Sequence, residues 1–113
     1  MTREFKNPLI LRRVWILWIS LTLFSANAFA EKHVIEIKDF QFVPAVLEVK
    51  VGDTVTWVNR DYAPHTATAE DDSWDTGNLD FKKKARITIS AKTGSTYYCL
   101  YHPNMKGSLI IAE

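Results

Sequence analysis

The chain contains one cysteine among its 113 residues, and this scarcity excludes several kinds of site. A single thiol cannot form an internal disulfide, a CxxC redox pair, a cysteine-rich zinc site or an iron–sulfur site. An excess of positive charge is also missing, because 14 Lys and Arg residues are matched by 13 Asp and Glu residues. Nucleic-acid-binding domains usually carry such an excess, so the balance argues against a nucleic-acid partner. The short length allows one small domain.

The first thirty residues have the three parts of a secretory signal peptide. Four basic residues come first, an apolar run from Val14 to Phe24 follows, and Ala28-Phe29-Ala30 has the small residues of a cleavage site. We therefore predict that residues 1–30 are a signal peptide cleaved after Ala30, and that residues 31–113 form the mature domain. The mature protein is then expected in the periplasm, without stable insertion in a membrane.

The leader leaves two alternatives open. Its uncharged stretch from Val14 to Ala30 has 17 residues, so retention as a membrane anchor is the other interpretation, at the short limit for a span. The polar and small residues at its end favour cleavage. The Arg12-Arg13 pair is typical of twin-arginine export, but paired basic residues are ordinary in such leaders, and we expect the Sec route.

Residues 31–113 show the period-2 alternation of β-strands. Ile35 and Ile37 share one face of the first segment, and Phe40 is interpreted as continuing the apolar pattern. The segments are short, rich in β-branched and aromatic residues, and separated by Gly, Pro and Asn. This arrangement predicts seven or eight strands in an all-β, Greek-key β-sandwich. Residues 70–80 have no clear pattern and are predicted to be a loop.

Four side chains carry the soft donor atoms of a metal site. Cys99, His102 and Met105 are spaced as C-x2-H-x2-M on one loop, and His65 lies in an earlier loop. Two histidines and a cysteine, with a long axial bond to methionine, are the ligands of type 1 blue copper, whereas zinc sites rarely use a thioether. We predict one bound copper ion. The two loops can meet if the strand ending near Asn59 and the strand ending at Cys99 are neighbours.

Each of these residues also has an ordinary interpretation when it is taken alone. A single loop histidine is more often a surface residue, and a single cysteine or methionine more often belongs to the core. Their concentration argues for a site, because a cysteine, a histidine and a methionine fall within seven positions. His33 is predicted to be a solvated strand residue rather than an accessory metal ligand.

Three segments, Val49 to Asn59, Pro64-His65 and Cys99 to Gly107, resemble the cupredoxins. The short spacing of the last segment is similar to that of the amicyanin group. The resemblance implies a copper site, and it implies that the ligands are His65, Cys99, His102 and Met105.

The same resemblance implies how the site is supported and reached. Asn59 is expected to tie the two ligand loops together. The imidazole edge of His102 is expected to reach the surface through an apolar docking patch. The residues predicted for this patch are Tyr62, Ala63, Pro64, Leu100, Pro103 and Asn104.

The predicted function is that of a periplasmic one-electron carrier. Protein side chains fill all four predicted ligand positions, which leaves no open position for a substrate and argues against an enzyme. The alternative is a periplasmic copper-binding or delivery protein, whose site we expect to be open and rich in Met and His. The resemblance implies transient redox partners, an amine dehydrogenase as donor and a c-type cytochrome as acceptor. We expect a monomer.

Two charge clusters remain to be assigned. Residues 31–113 carry ten basic and twelve acidic residues, a net charge of −2. The acidic cluster is Glu70-Asp71-Asp72 and the basic cluster is Lys82-Lys83-Lys84. Such clusters are usually solvated faces, and the alternative is that they steer a redox partner.

Overall fold

The computed structural model describes residues 29–113, so the predicted signal peptide lies almost entirely outside the described residues. Within this range, no helix is long and apolar enough to cross a membrane. The described residues form eight strands: β1 (Lys32–Lys38), β2 (Gln41–Val43), β3 (Val46–Lys50), β4 (Thr54–Asn59), β5 (Thr68–Ala69), β6 (Lys84–Thr88), β7 (Thr96–Tyr98) and β8 (Lys106–Ala112).

The strands form two four-stranded sheets. The first sheet has the order β2-β1-β4-β6, and the second has the order β3-β8-β7-β5. The β1–β4 and β3–β8 pairs are parallel, and the other pairs are antiparallel. No helix is present between residues 29 and 113. The predicted all-β fold is therefore confirmed.

Alternation along the strands decides which side chains form the core. Ile35 and Ile37 of β1 are fully buried, as are Val55 and Trp57 of β4, whereas Val34 on the opposite face of β1 is exposed. Successive side chains of a strand point to opposite faces, so one face of each sheet is left to pack against the other sheet. The face predicted for Ile35 and Ile37 is confirmed.

The segment after β5 contributes more to the core than its sequence pattern indicates. Residues 70–80 contain no strand, as predicted, but Trp74 is buried and stacks on Trp57 with ring centroids 4.8 Å apart. The indole N–H of Trp74 donates a hydrogen bond to the carbonyl of Gly94 at 2.9 Å. This loop is therefore a packed part of the domain, held by a contact that no local periodicity encodes.

The two ligand loops meet although the strands that lead to them are not neighbours. The strand ending at Asn59 and the strand leading to Cys99 are β4 and β7, and they belong to different sheets. His65 reaches Cys99 through the short strand β5, which pairs with β7 and places Thr68 opposite Tyr98. A two-residue strand has too few positions to show alternation, so this connection could not be predicted from the sequence pattern.

His33 is not solvated as predicted. Its side chain is 16% exposed, and its Nε2 atom lies 2.9 Å from Oδ2 of the buried Asp53. Asp53 also accepts hydrogen bonds from the backbone N–H groups of Glu31 and Lys50, both at 2.9 Å. One carboxylate therefore fastens the beginning of the domain to the turn between β3 and β4.

Acidification is expected to destabilise the domain through Asp53. Hydrogen bonds from Glu31, His33 and Lys50 lower the pKa of Asp53 from 3.8 to about 2, although burial opposes them. A carboxyl group whose folded-state pKa is depressed stabilises the fold fully above its unfolded pKa, and this contribution is lost as the pH falls from about 5 to about 2. In Asp53→Asn, the urea midpoint should therefore change less with pH over this range than it does in the wild-type protein. Glu48→Gln, which changes an exposed carboxylate of β3, should keep the wild-type slope. An unchanged slope in Asp53→Asn would contradict the assignment.

Candidate metal centre

The loop between β7 and β8 folds back on itself by backbone hydrogen bonds. The N–H of His102 donates to the carbonyl of Cys99 at 3.2 Å, and the N–H of Met105 donates to the carbonyl of His102 at 2.9 Å. The N–H of Cys99 closes the loop on the carbonyl of Met105 at 3.1 Å. These bonds hold the three side chains of the C-x2-H-x2-M motif at one end of the sandwich.

His65, Cys99 and His102 meet at this end. The Nδ1 atoms of His65 and His102 lie 3.8 Å and 3.7 Å from Sγ of Cys99, and the three donor atoms lie within 4.8 Å of one another. Such separations suit two ligands of one ion, because bonds from nitrogen and sulfur ligands to a metal are about 2.0–2.3 Å long. The donor set, two imidazoles and a thiolate, is that of type 1 copper.

Met105 completes the predicted ligand set on the same loop. It is buried, and it lines a surface hollow of about 430 Å³ together with Phe40 and His102. Backbone hydrogen bonds join Met105 to both His102 and Cys99, so its side chain starts at the same end of the sandwich as the three other donor residues. Its role as the axial ligand stays a prediction.

The orientation of His65 is set by Asp61, a residue absent from the sequence prediction. Nε2 of His65 lies 2.9 Å from Oδ2 of Asp61. Burial acts to raise the pKa of Asp61, but hydrogen bonds from the N–H groups of Phe40 and Asp39 and from the His65 ring outweigh it and lower the pKa. An ionised carboxylate can only accept a hydrogen bond, so Nε2 carries the proton and the lone pair of Nδ1 faces Cys99.

Phe40 contacts both imidazoles and does not continue a strand, contrary to the prediction. It lies in the turn between β1 and β2, where Asp39 and Phe40 have left-handed φ angles of 53° and 58°. Both N–H groups of this turn donate to Asp61, at 2.8 Å and 2.9 Å. The Phe40 ring meets the rings of His65 and His102 edge-on, with centroids 4.9 Å and 4.8 Å apart.

The contacts of Asn59 differ from those expected. Its amide donates to the carbonyls of Ala63 at 2.9 Å and Leu79 at 2.8 Å, and its Oδ1 accepts from the N–H of Asp61. These bonds join the end of β4 to the His65 loop and to the segment of Leu79, and none of them reaches the loop of Cys99, His102 and Met105. The link between the two ligand loops is made by Thr66.

Thr66 joins the two ligand loops through its hydroxyl and its backbone N–H. Its hydroxyl accepts a hydrogen bond from the N–H of Leu100 at 2.9 Å, and its own N–H points to Sγ of Cys99 at 3.4 Å. A thiolate that accepts a backbone hydrogen bond is oriented and stabilised by it. Thr66 follows His65 directly in the sequence, but the sequence does not show that it bonds to Leu100 and Cys99.

The residues predicted for the docking patch lie mostly at the surface, and His102 itself is half-buried. Five of its six residues are exposed and Ala63 is half-buried; the exposed ones are Tyr62, Pro64, Leu100, Pro103 and Asn104. Phe40 and Tyr101 add to this surface, with 48% and 49% of their area exposed, and were not predicted to belong to it. Exposed aromatic side chains beside a ligand were missed because exposure cannot be read from their residue type.

Comparisons with known proteins agree with this description. Amicyanin from Paracoccus denitrificans is 32% identical over 83 residues, which are 69% of this chain and 63% of that protein, so this chain spans less than two thirds of the relative's length. Amicyanin from Paracoccus versutus is 28% identical over 93 residues, 77% of this chain and 70% of that protein.

Solved structures give the same result for the fold. A variant of amicyanin in its oxidised state has a TM-score of 0.63 and 29% identity, and the match covers 72% of this chain and 82% of that chain. A copper-containing nitrite reductase from Thermus scotoductus SA-01 has a TM-score of 0.65 and 29% identity over 79% of this chain. The match covers only 24% of that enzyme.

The family model of the cupredoxin-like domain matches residues 10–111, nearly the whole chain. The resemblance seen in the ligand segments is thus confirmed over the full domain, together with its similarity to amicyanin. The chain belongs to the cupredoxin-like domain family.

Proposed function

We propose that this protein is a periplasmic type 1 copper protein that carries single electrons between redox partners. Its ligands are His65, Cys99, His102 and Met105. The observation that carries the proposal is the convergence of two Nδ1 atoms and one Sγ atom within 4.8 Å at one end of the sandwich. Its similarity to amicyanin supports the same function.

The residues around the site suit electron transfer because they restrain the ligands. Bound copper would supply a one-electron couple between Cu(I) and Cu(II). The Asp61 carboxylate fixes the His65 ring, Thr66 connects the two loops, and backbone bonds close the Cys99–Met105 loop. Ligands held in this way move little when the charge of an ion changes, so little reorganisation accompanies each transfer.

A copper-delivery protein is the alternative, and the burial of the ligands disfavours it. His65 and Cys99 have no exposed surface, and Met105 is 6% exposed. Only His102 among the ligands is half-buried, so a partner would reach the site through an imidazole edge rather than through open coordination positions. This exposure suits electron transfer better than ion exchange.

The proposal includes the partners and the location. The apolar surface around His102 suits short-lived complexes between monomers, with an amine dehydrogenase as donor and a c-type cytochrome as acceptor, by analogy with amicyanin. Export to the periplasm by the Sec route and cleavage after Ala30 are part of it. The N–H of Glu31 donates to Asp53, whereas Phe29 is 77% exposed, which supports a domain that begins at residue 31.

The decisive experiment is spectroscopy and voltammetry of the copper-loaded protein. We expect an intense visible absorption band with Cu(II), because a thiolate bound to Cu(II) gives strong charge transfer, and a reversible one-electron couple. A copper complex with no intense band and no reversible couple would favour the delivery protein. Replacing the metal with Zn2+ serves as the control, since it has no redox chemistry and should remove both signals.

A further inference from the structure

The lysine cluster Lys82-Lys83-Lys84 lies at the same end of the sandwich as the metal ligands but is not part of the proposed copper site. The side chains of Lys82, Lys83 and Lys84 are all exposed, and within residues 29–113 none of them forms an ion pair. Three positive charges on consecutive residues, none of them in an ion pair, produce a local field that extends about 8 Å into solution at physiological ionic strength. Residues 31–113 have a net charge of −2, so the cluster is a local concentration of positive charge on a mildly acidic domain.

Backbone bonds place this cluster beside the metal centre. The N–H of Lys82 donates to the carbonyl of Asn59 at 2.8 Å, and the N–H of Asn59 donates to the carbonyl of Lys83 at 2.9 Å. The same segment reaches the other ligand loop, because the hydroxyl of Tyr101 donates to Asn78 at 2.9 Å. The lysines are thus fixed relative to both histidine-bearing loops.

An aromatic pair joins the docking patch to the lysines, because Tyr62 belongs to the patch and the half-buried Phe81 directly precedes Lys82. Tyr62 is 87% exposed, and its ring stacks on Phe81 with centroids 4.4 Å apart. Nζ of Lys82 lies 5.2 Å from the centroid of the Phe81 ring. Flat aromatic surface next to cationic groups is well suited to a protein interface, since aromatic and basic side chains are enriched there.

The acidic cluster lies toward the opposite end. The N–H of Glu70 donates to the carbonyl of Thr96, where β7 begins, and Asp71 lies against Gly94 in the loop before that strand. Since Cys99 follows the other end of β7, the acidic and basic clusters are separated along the sandwich. Such a separation orients a molecule in the field of a charged partner.

Two acidic residues of the metal end, Asp61 and Asp80, form no ion pair with the lysines. Asp61 is held by three hydrogen bonds in the interior of the ligand loops. Asp80 accepts a hydrogen bond from the amide of Asn78, a residue of its own segment. Neither carboxylate is paired with a lysine of the cluster.

We propose that Lys82, Lys83 and Lys84, together with Tyr62 and Phe81, dock a redox protein whose electron-transfer site is bordered by carboxylates. The proposal rests on the proposed function, because it assigns the electron carrier a partner of stated chemistry. The lysines speed and orient the encounter, and the aromatic pair provides contact area close to His102. The acidic cluster at the other end disfavours docking of the same partner in the reverse orientation.

The first test compares two triple variants of equal charge change. One replaces Lys82, Lys83 and Lys84 with glutamine, and the matched control replaces three exposed lysines toward the other end, Lys32, Lys50 and Lys92, with glutamine. Stopped-flow measurements follow oxidation of the Cu(I) protein by anionic hexacyanoferrate(III) and by cationic tris(phenanthroline)cobalt(III). At low salt, the first variant should react about tenfold more slowly with the anion and no more slowly with the cation.

The control variant should change the rate with the anion by less than about twofold, because its lost charges are remote from the metal end. Equal effects of the two triple variants would overturn the proposal, since net charge alone would then explain the rates. The visible band and the reduction potential of both variants are recorded first. If the unmodified protein lacks the visible band and a measurable reduction potential, the proposed function is contradicted. If it has both, and the two triple variants react at equal rates, only the docking proposal is contradicted.

The second test does not depend on electron transfer. Hexacyanochromate(III), a paramagnetic anion, is titrated into the protein, and NMR amide signals are followed for line broadening. Broadening should centre on residues 81–84 and disappear in the Lys82–Lys84 variant but not in the control. Broadening that is spread over the surface would overturn the proposal. Lysine-dependent binding to vesicles containing phosphatidylglycerol would also overturn it, because the cluster would then recognise a lipid surface.

Discussion

Replacing Cys99 with serine is expected to abolish the intense visible band of the Cu(II) protein. The band requires charge transfer from a thiolate, and Cys99 is the only cysteine in the chain. A serine hydroxyl is a harder and much less acidic donor, so it does not provide an equivalent bond to copper. Absorption spectroscopy of the copper-loaded variant measures the result directly, and we expect loss of essentially the whole band.

The fold of this variant should remain intact, which separates loss of the ligand from loss of the domain. Cys99 is fully buried and its Sγ accepts the N–H of Thr66, a role that a serine oxygen can also perform. The urea midpoint should therefore change little. Met105→Gln is the matched control on the same loop, because a weak axial ligand tunes the potential more than it holds the ion, and this variant should keep the band. An intense band in Cys99→Ser would show that the thiolate has been misassigned.

The features predicted correctly from sequence are those encoded over short distances. Burial of Ile35 and Ile37 follows from alternation within one strand. The proximity of Cys99 and His102 follows from their spacing on one loop. In both cases the residues that interact are neighbours in sequence, so their geometry is limited by the backbone itself.

The features that were missed depend on contacts between distant segments. Trp74 is buried by stacking on Trp57, although its own segment has no periodic pattern. The turn at Asp39 and Phe40 lacks the glycine or asparagine that usually indicates left-handed backbone. It forms because a carboxylate 22 residues away accepts its N–H groups. No local rule predicts a conformation that is stabilised from such a distance.

Asp61 is the residue whose replacement should show how strongly the site depends on this distant contact. Its carboxylate holds the left-handed turn of Phe40 and the ring of His65 at once. Asp61→Ala removes the hydrogen-bond acceptor of the His65 ring and of the N–H groups in the turn. We expect a loss of about 2 kcal/mol in the free energy of unfolding, since a hydrogen bond to a charged group contributes roughly 1.5–3 kcal/mol and water replaces part of it at the exposed turn. Urea unfolding of the metal-free protein measures this loss.

The same substitution should raise the reduction potential of the copper protein. The lowered pKa of Asp61 means that the carboxylate is ionised at neutral pH, and its negative charge favours Cu(II) over the less positive Cu(I). Removing it should shift the potential upward by about 60 mV, a tenfold change in the equilibrium of a one-electron couple. Asp80→Asn removes one charge from the neighbouring segment without touching His65 or Phe40, so it should shift the potential much less. Equal shifts in the two variants would mean that Asp61 acts only as a distant charge, and an unchanged free energy of unfolding in Asp61→Ala would show that the turn holds its left-handed conformation without the carboxylate.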